Sequence, residues 1–199
     1  MTAKNLISDE RNAIYGTGAD FCRIFEEDMK DLYLLAFLLT ADPVKAEQCF
    51  VAGLDDCASG SPVFKEWARS WARRSIVKNA VRLIAPEPGY ANGVSNPDFE
   101  SHTTDRAHPE MQAEISALLN LAPLQRFAFV MSVLEGYSDQ DCALLLGCTR
   151  QTLIAARVRG AQEMTRSVEI QGGRHTHATV KNQDSVIGLT LPVRLATPA

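Results

Sequence analysis

The chain has 199 residues, 46% of them hydrophobic, a formal charge of −4 and five cysteines. That is material for one ordinary domain or two small ones, and no apolar run approaches the roughly 18–20 residues that a membrane span needs. The opening MTAKNLISDERNAIYG lacks the basic-then-apolar order of a secretory signal, and an odd set of cysteines without C-x-x-C spacing argues against a disulfide framework or a zinc site, so the composition reads as a reduced, cytosolic protein.

Taken in chain order, ADFCRIFEEDMKDLYLLAFLL (19–39) places Phe21, Ile24, Phe25, Leu32, Leu35, Ala36 and Leu39 at helical spacing, with Asp20 as the expected N-cap. Asp42 and Pro43 then read as cap and first position of a second helix that runs to about Ala58, where SGSP breaks it. A third is expected from near Val63 to about Ile84. The stretch APEPGYANGVSNPDFESHTTDRAHP has linker composition and no apolar period. Beyond Pro109 the helical period returns, first through Ile115, Leu118, Leu119 and Leu121, then through APLQRFAFVMSVLEG with Pro123 at a helix start. From about Val168 the helical spacing is lost behind Gly172-Gly173, and a disordered tail is expected, although SVIGLTLPV has the pattern of a short strand. The expected fold is all-α: two small helical domains joined by a flexible linker.

Charge is distributed unevenly. The stretch 64–82 carries six cations against Glu66, and 149–166 carries four Arg against Glu163, whereas 9–31 and 85–114 are acidic. Two basic islands in an acidic chain are the electrostatic footprint of a protein that binds a polyanion.

The second island lies in GYSDQDCALLLGCTRQTLIAARVRGAQEM (136–164). A helix-turn-helix needs a Gly in its tight turn and apolar residues at fixed offsets to hold two helices at a steep angle. Cys142, Ala143 and Leu146 fill the inward positions of the first helix, Gly147 supplies the turn, and Cys148, Leu153 and Ala156 fill those of the second. An ordinary helical hairpin with a Gly cap satisfies the same pattern; the Arg-rich outer face favours DNA. On that reading Thr149, Arg150 and Gln151 start the helix that enters the major groove, and Arg and Gln are the types that pair with guanine and adenine edges. Ile154 and Ala155 offer apolar contact to a thymine methyl, and Arg157, Arg159 and Arg166 reach phosphates.

In the first island, FKEWARSWARRSIVKNAVRLI, aromatic and basic groups alternate, as suits single-stranded nucleic acid. Trp at helical spacing is more often core, and Trp67 is assigned there, while Trp71 is left open. The cations form two rows, Lys65-Arg69-Arg73 and Arg74-Lys78-Arg82, that point nearly opposite ways on a straight helix. One row is expected to meet DNA and the other protein or solvent.

With these segments in view, the chain resembles a bacterial RNA polymerase sigma factor of the extracytoplasmic-function group over about residues 20–84 and 110–165. LYLLAFLLTADPVKAEQCF is similar to the family's first-domain helices, FKEWARSWARR resembles its F-x-x-W-x-x-x-x-A-R segment, and ALLNLAPLQRFAFVMSVLEGYSDQDCALLLGC resembles its second domain, LEGYS and the Gly turn included. The resemblance implies an N-terminal extension (1–18), a sigma domain 2-like domain (19–84), a linker (85–109), a sigma domain 4-like helix-turn-helix domain (110–166) and a tail (167–199). It implies RNA polymerase core and promoter DNA as partners, leaves room for an anti-sigma protein, and needs neither cofactor nor metal. Arg69, Trp71, Arg73, Arg74 and Lys78 would meet the melted minus-ten strand. Thr149, Arg150, Gln151, Ile154, Ala155, Arg157 and Arg159 would read the minus-thirty-five duplex. Glu47, Gln48, Val51 and Ala52 would face the polymerase, although Val51 and Ala52, followed by Gly53, stand where the family usually has Gln-Glu. Ile154 and Ala156 likewise stand where it often has Lys and Arg.

The alternative is a diverged sigma-like DNA-binding regulator or protein scaffold that no longer opens promoters. An enzyme is not expected. His102 and His108 fall in the linker and His175 and His177 in the tail, and the sequence holds no phosphate-binding Gly loop or metal-ligand spacing.

Overall fold

The structure is a computed structural model that describes the backbone of residues 14–86 and 109–183, and side chains within 14–86 and 112–167. Eight α-helices are described: α1 (Gly18–Glu27), α2 (Met29–Thr40), α3 (Pro43–Ser59), α4 (Ala68–Ile84), α5 (Pro109–Leu119), α6 (Pro123–Phe129), α7 (Asp139–Leu146) and α8 (Arg150–Gln183). No strand is present among the described residues. An isolated antiparallel bridge joins Tyr15 to Phe64, with the Gly16 N–H donating to the Val63 carbonyl at 2.7 Å.

The first expected helix is two. Thr17, not Asp20, is the N-cap. Its hydroxyl accepts from the Asp20 N–H at 3.2 Å, while the Asp20 carboxylate accepts from the Thr17 N–H at 3.0 Å, a reciprocal capping box. The Thr17 N–H, and the Thr17 hydroxyl donating to the same carboxylate at 2.8 Å, hold the Asp20 carboxyl below its ordinary value. At Asp28 the backbone leaves helical geometry (ψ 18°) and α2 begins. The second expected helix forms as read. Asp42 accepts from the Val44 and Lys45 N–H groups at 2.9 and 3.0 Å, with Pro43 at the first position. The third opens with a 3-10 turn, Lys65–Trp67, before α4.

Helices α1–α4 pack around Phe21, Phe25, Leu32, Leu39, Ile76 and Val77, all nearly solvent-free, and each such side chain contributes about 1.5–3 kcal/mol on burial. Gly53 explains how closely α3 and α4 approach. A Cβ there would stand 2.7 Å from the Ile76 Cδ1, so the helix accepts Gly's intrinsic cost of about 1 kcal/mol for close packing.

Helices α5–α8 enclose Phe127, Val130, Met131, Cys142 and Leu153. Between α6 and α7 the chain widens into a π turn, Val130–Leu134, closed by the Glu135 N–H on the Val130 carbonyl at 3.0 Å. The apolar interiors of both helix sets run into one continuous core, with α2 against α5 and α6, and α4 against α7. Two small helical domains were expected; among the described residues two helix sets are present, and they pack against each other.

α8 continues to Gln183, which corrects the tail expectation for 168–183. Extending an existing helix adds one backbone bond per residue fixed, and Gly172-Gly173 weakens but does not stop it, unlike Pro. Residues 184–199, with the SVIGLTLPV segment, lie outside the described residues, as do nearly all of the linker, its two His, and most of the N-terminal extension.

Candidate nucleic-acid interface

The second module is a helix-turn-helix. Ser138 caps α7 by accepting from the Asp141 N–H at 3.1 Å, and Gly147 ends it in the left-handed region (φ 63°). Thr149 then caps α8, its hydroxyl accepting from the Thr152 N–H at 3.1 Å. Cys142, Ala143, Leu146, Leu153 and Ala156 are buried as the spacing requires, and Cys148 is half-buried. On the outer face Thr149, Arg150, Gln151, Ile154 and Arg159 are exposed and Ala155 is half-buried. That constellation presents a guanidinium and a carboxamide side by side at the N-terminal end of an exposed helix.

Arg157 does not join them. Its Nη1 donates to the Asp139 Oδ1 at 2.5 Å, tying α8 to the start of α7. A phosphate contact by Arg157 would therefore have to compete with this ion pair between the two helices.

In the first module the two cationic rows part as the helical period requires. Lys65 lies 3.6 Å from Asp20, and Arg69 pairs with Glu27 and Asp28 across to α1. Arg73 makes two bonds to Glu135 of the other helix set, Nε to Oε2 at 2.7 Å and Nη2 to Oε1 at 2.5 Å. This row meets protein, and Arg69 and Arg73 are therefore spoken for in the docked chain. In the second row Arg82 pairs with Asp56 at 3.2 Å, while Arg74 and Lys78 line an open cleft of about 830 Å³ with Trp67 and Trp71 on one wall and Tyr137, Asp141 and Leu145 on the other. Burial pushes the Tyr137 phenol up from its ordinary value, with Arg74 nearby pulling it down.

Trp67 was assigned to the core and is 57% exposed. It lies one turn before the exposed Trp71, off the face that Ala68 and Ala72 bury, and its ring packs edge-on against Phe64 at 5.1 Å. Trp71 is also exposed, so both indoles are open to a stacking partner. On α3, Glu47, Gln48 and Val51 form an exposed face with Ala52 half-buried at its margin.

Sequence reasoning missed Arg126, which is buried where the two helix sets meet. Its guanidinium donates to the Leu39 and Thr40 carbonyls at the end of α2 (3.1 and 3.4 Å) and to the Leu119 and Leu121 carbonyls at the end of α5 (3.2 and 3.0 Å). Helix C-termini leave unpaired carbonyls with partial negative charge, and one planar cation serves both. Burial pushes its pKa down to about 10. The sequence signal was a lone Arg inside an apolar helical run.

Among the described residues no His/Cys/Asp/Glu cluster could hold a metal, and no helix is long and apolar enough to cross a membrane. Residues 112–164 match the family model for sigma-70, region 4. Among solved structures, the sigma factor RpoE from Bartonella quintana, in complex with the anti-sigma factor NepR, is similar at 21% identity, with a TM-score of 0.49 over 76% of this chain and 98% of that one. No curated protein matches the chain.

Proposed function

We propose that this chain, whose residues 112–164 belong to the sigma-70 region 4 family, is a sigma factor of the extracytoplasmic-function type that acts in the cytoplasm and directs RNA polymerase to promoters. The observation that carries the reading is the helix-turn-helix with Leu153 fully buried and Arg150 and Gln151 exposed at the start of α8. The second module would grip the minus-thirty-five duplex through that face. The first would hold the unpaired minus-ten strand on Trp71, Arg74 and Lys78, with Arg69 and Arg73 joining once their carboxylate partners are displaced. The face of Glu47, Gln48, Val51 and Ala52 would dock on the polymerase. No bond is made or broken in this work; binding energy goes into placing polymerase and trapping open DNA. An anti-sigma protein is a natural further partner, as the complex containing RpoE illustrates for that protein.

A second reading rests on Val51, an exposed apolar side chain on the face assigned to polymerase. A regulator or scaffold that binds duplex DNA and protein partners without opening promoters would carry such a residue equally well. Incubation of the purified chain with core RNA polymerase separates the two. Co-elution and specific run-off transcription support the sigma factor, whereas duplex binding without core binding supports the regulator. Within either reading, Arg150→Glu alters sequence preference, while Arg159→Glu weakens all duplexes alike and lowers the slope of affinity against salt by about one counterion, measured by anisotropy titration. Equal effects from both variants refute the groove assignment.

A further inference from the structure

The cleft between the helix sets has walls of opposite charge. Trp67, Trp71, Arg73, Arg74 and Lys78 form one, and Glu135, Tyr137 and Asp141 lie on the other. Across it Arg73 holds Glu135 by two parallel bonds, the fork geometry with which a guanidinium also takes two oxygens of a phosphate. The carboxylate is the more enclosed partner, its side chain 7% exposed against 39% for Arg73. Its backbone is held independently of that contact: the π turn fixes the Glu135 N–H on Val130, and Gly136 follows at φ 69° to turn the chain toward α7. π turns inside helices recur at functional positions, and this one aims a carboxylate at the cation wall. The helix-turn-helix face is untouched by the docking, since Arg150, Gln151 and Arg159 remain exposed.

We infer that Glu135 is a built-in competitor for the nucleic-acid strand: its carboxylate takes the place of a phosphate on Arg73 and withholds that cation from the strand until the strand displaces it. The docked chain therefore binds duplex through α8 but holds single-stranded DNA weakly, and the strand binds at full strength only when Glu135 is released. The inference rests on the strand-capture reading above. It adds an order to that reading, duplex first and strand second.

The test uses the full chain and two probes, a fluorescein-labelled pool of random-sequence single-stranded oligodeoxynucleotides and a pool of random-sequence duplexes, titrated by anisotropy. Removing the competitor raises the fraction of chains in the binding-competent state, so Glu135→Gln and Glu135→Ala are expected to bind the strand about tenfold more tightly than the unaltered chain. Duplex affinity is expected to stay unchanged. Glu26→Gln, which removes an exposed acid on α1 outside the cleft lining, controls for net charge and is expected to leave both affinities alone. Adding Arg73→Gln to Glu135→Gln is expected to abolish the gain. Equal strand affinity in the unaltered chain and both Glu135 variants overturns the competitor while leaving strand capture intact. Strand binding by none of them overturns strand capture and the competitor with it. A gain that Glu26→Gln reproduces, or that appears equally on duplex, overturns the competitor as a mere charge effect.

Discussion

Replacing Arg126 with Met keeps most of the buried aliphatic volume and removes the guanidinium. Four carbonyls lose their donor, two at the end of α2 and two at the end of α5. A hydrogen bond to a charged group contributes about 1.5–3 kcal/mol net, but four bonds to one planar group are not additive, and the one to Thr40 at 3.4 Å is long. Desolvation of the cation, which lowers its pKa, offsets part of the gain. A net loss of about 3 kcal/mol is the consistent figure, roughly 6–12 °C in Tm for a chain of this length. Half of the lost bonds cross from the second helix set to the first, so the variant should also uncouple the two. Trp67 and Trp71 both belong to the first set and line the cleft it shares with the second, so tryptophan fluorescence follows the first set and its docking, while far-UV circular dichroism follows all the helices. In urea the two signals are expected to trace a single transition in the unaltered chain and to separate in Arg126→Met. An unchanged Tm with coincident curves would falsify the argument, because it would mean that water or rearranged side chains replace the guanidinium at no cost.

Gly147 has φ 63° and open space where a Cβ would go, so Gly147→Ala isolates the backbone cost of the left-handed turn. About 1–2 kcal/mol is expected from thermal melting, with Gly147→Asn losing less; equal losses from both would mean that the turn tolerates any residue. The cysteines divide by burial. Cys49 and Cys142 thiols are pushed up to about 11, while Cys22 is exposed. Iodoacetamide near pH 8 is expected to modify Cys22 in the folded chain and to reach Cys49 and Cys142 only as pH climbs toward 11 or the chain unfolds, read site by site by mass spectrometry; early labelling of Cys142 would contradict the packing of α7.

The helix-turn-helix and the cation rows were legible because each is a matter of local period. Positions three and four apart share a face, so Cys142, Leu146, Leu153 and Ala156 announced an interior, and Arg69 with Arg73 announced a row opposite Arg74 and Lys78. The Thr17–Asp20 capping box was equally local, written in TGAD, and was passed over for the Asp alone. Trp67 was misassigned because the general burial of Trp outweighed its position: one turn before the exposed Trp71, it falls off the face that Ala68, Ala72 and Ile76 bury.

What the sequence determined by itself is therefore most of the helices, though not the break at Asp28 or the full length of α8, most of their inward and outward faces, and the turn that sets α7 against α8. Only the tertiary structure decided that Arg73 meets Glu135, that Arg126 joins the ends of α2 and α5, and that Arg157 pairs with Asp139. The physical reason is that a side chain's face follows from the 3.6-residue period of its own helix. Its partner depends on which helices dock and at what angle, and no period in the sequence links residues 62 or 87 positions apart, as Arg73 and Glu135 or Arg126 and Leu39 are.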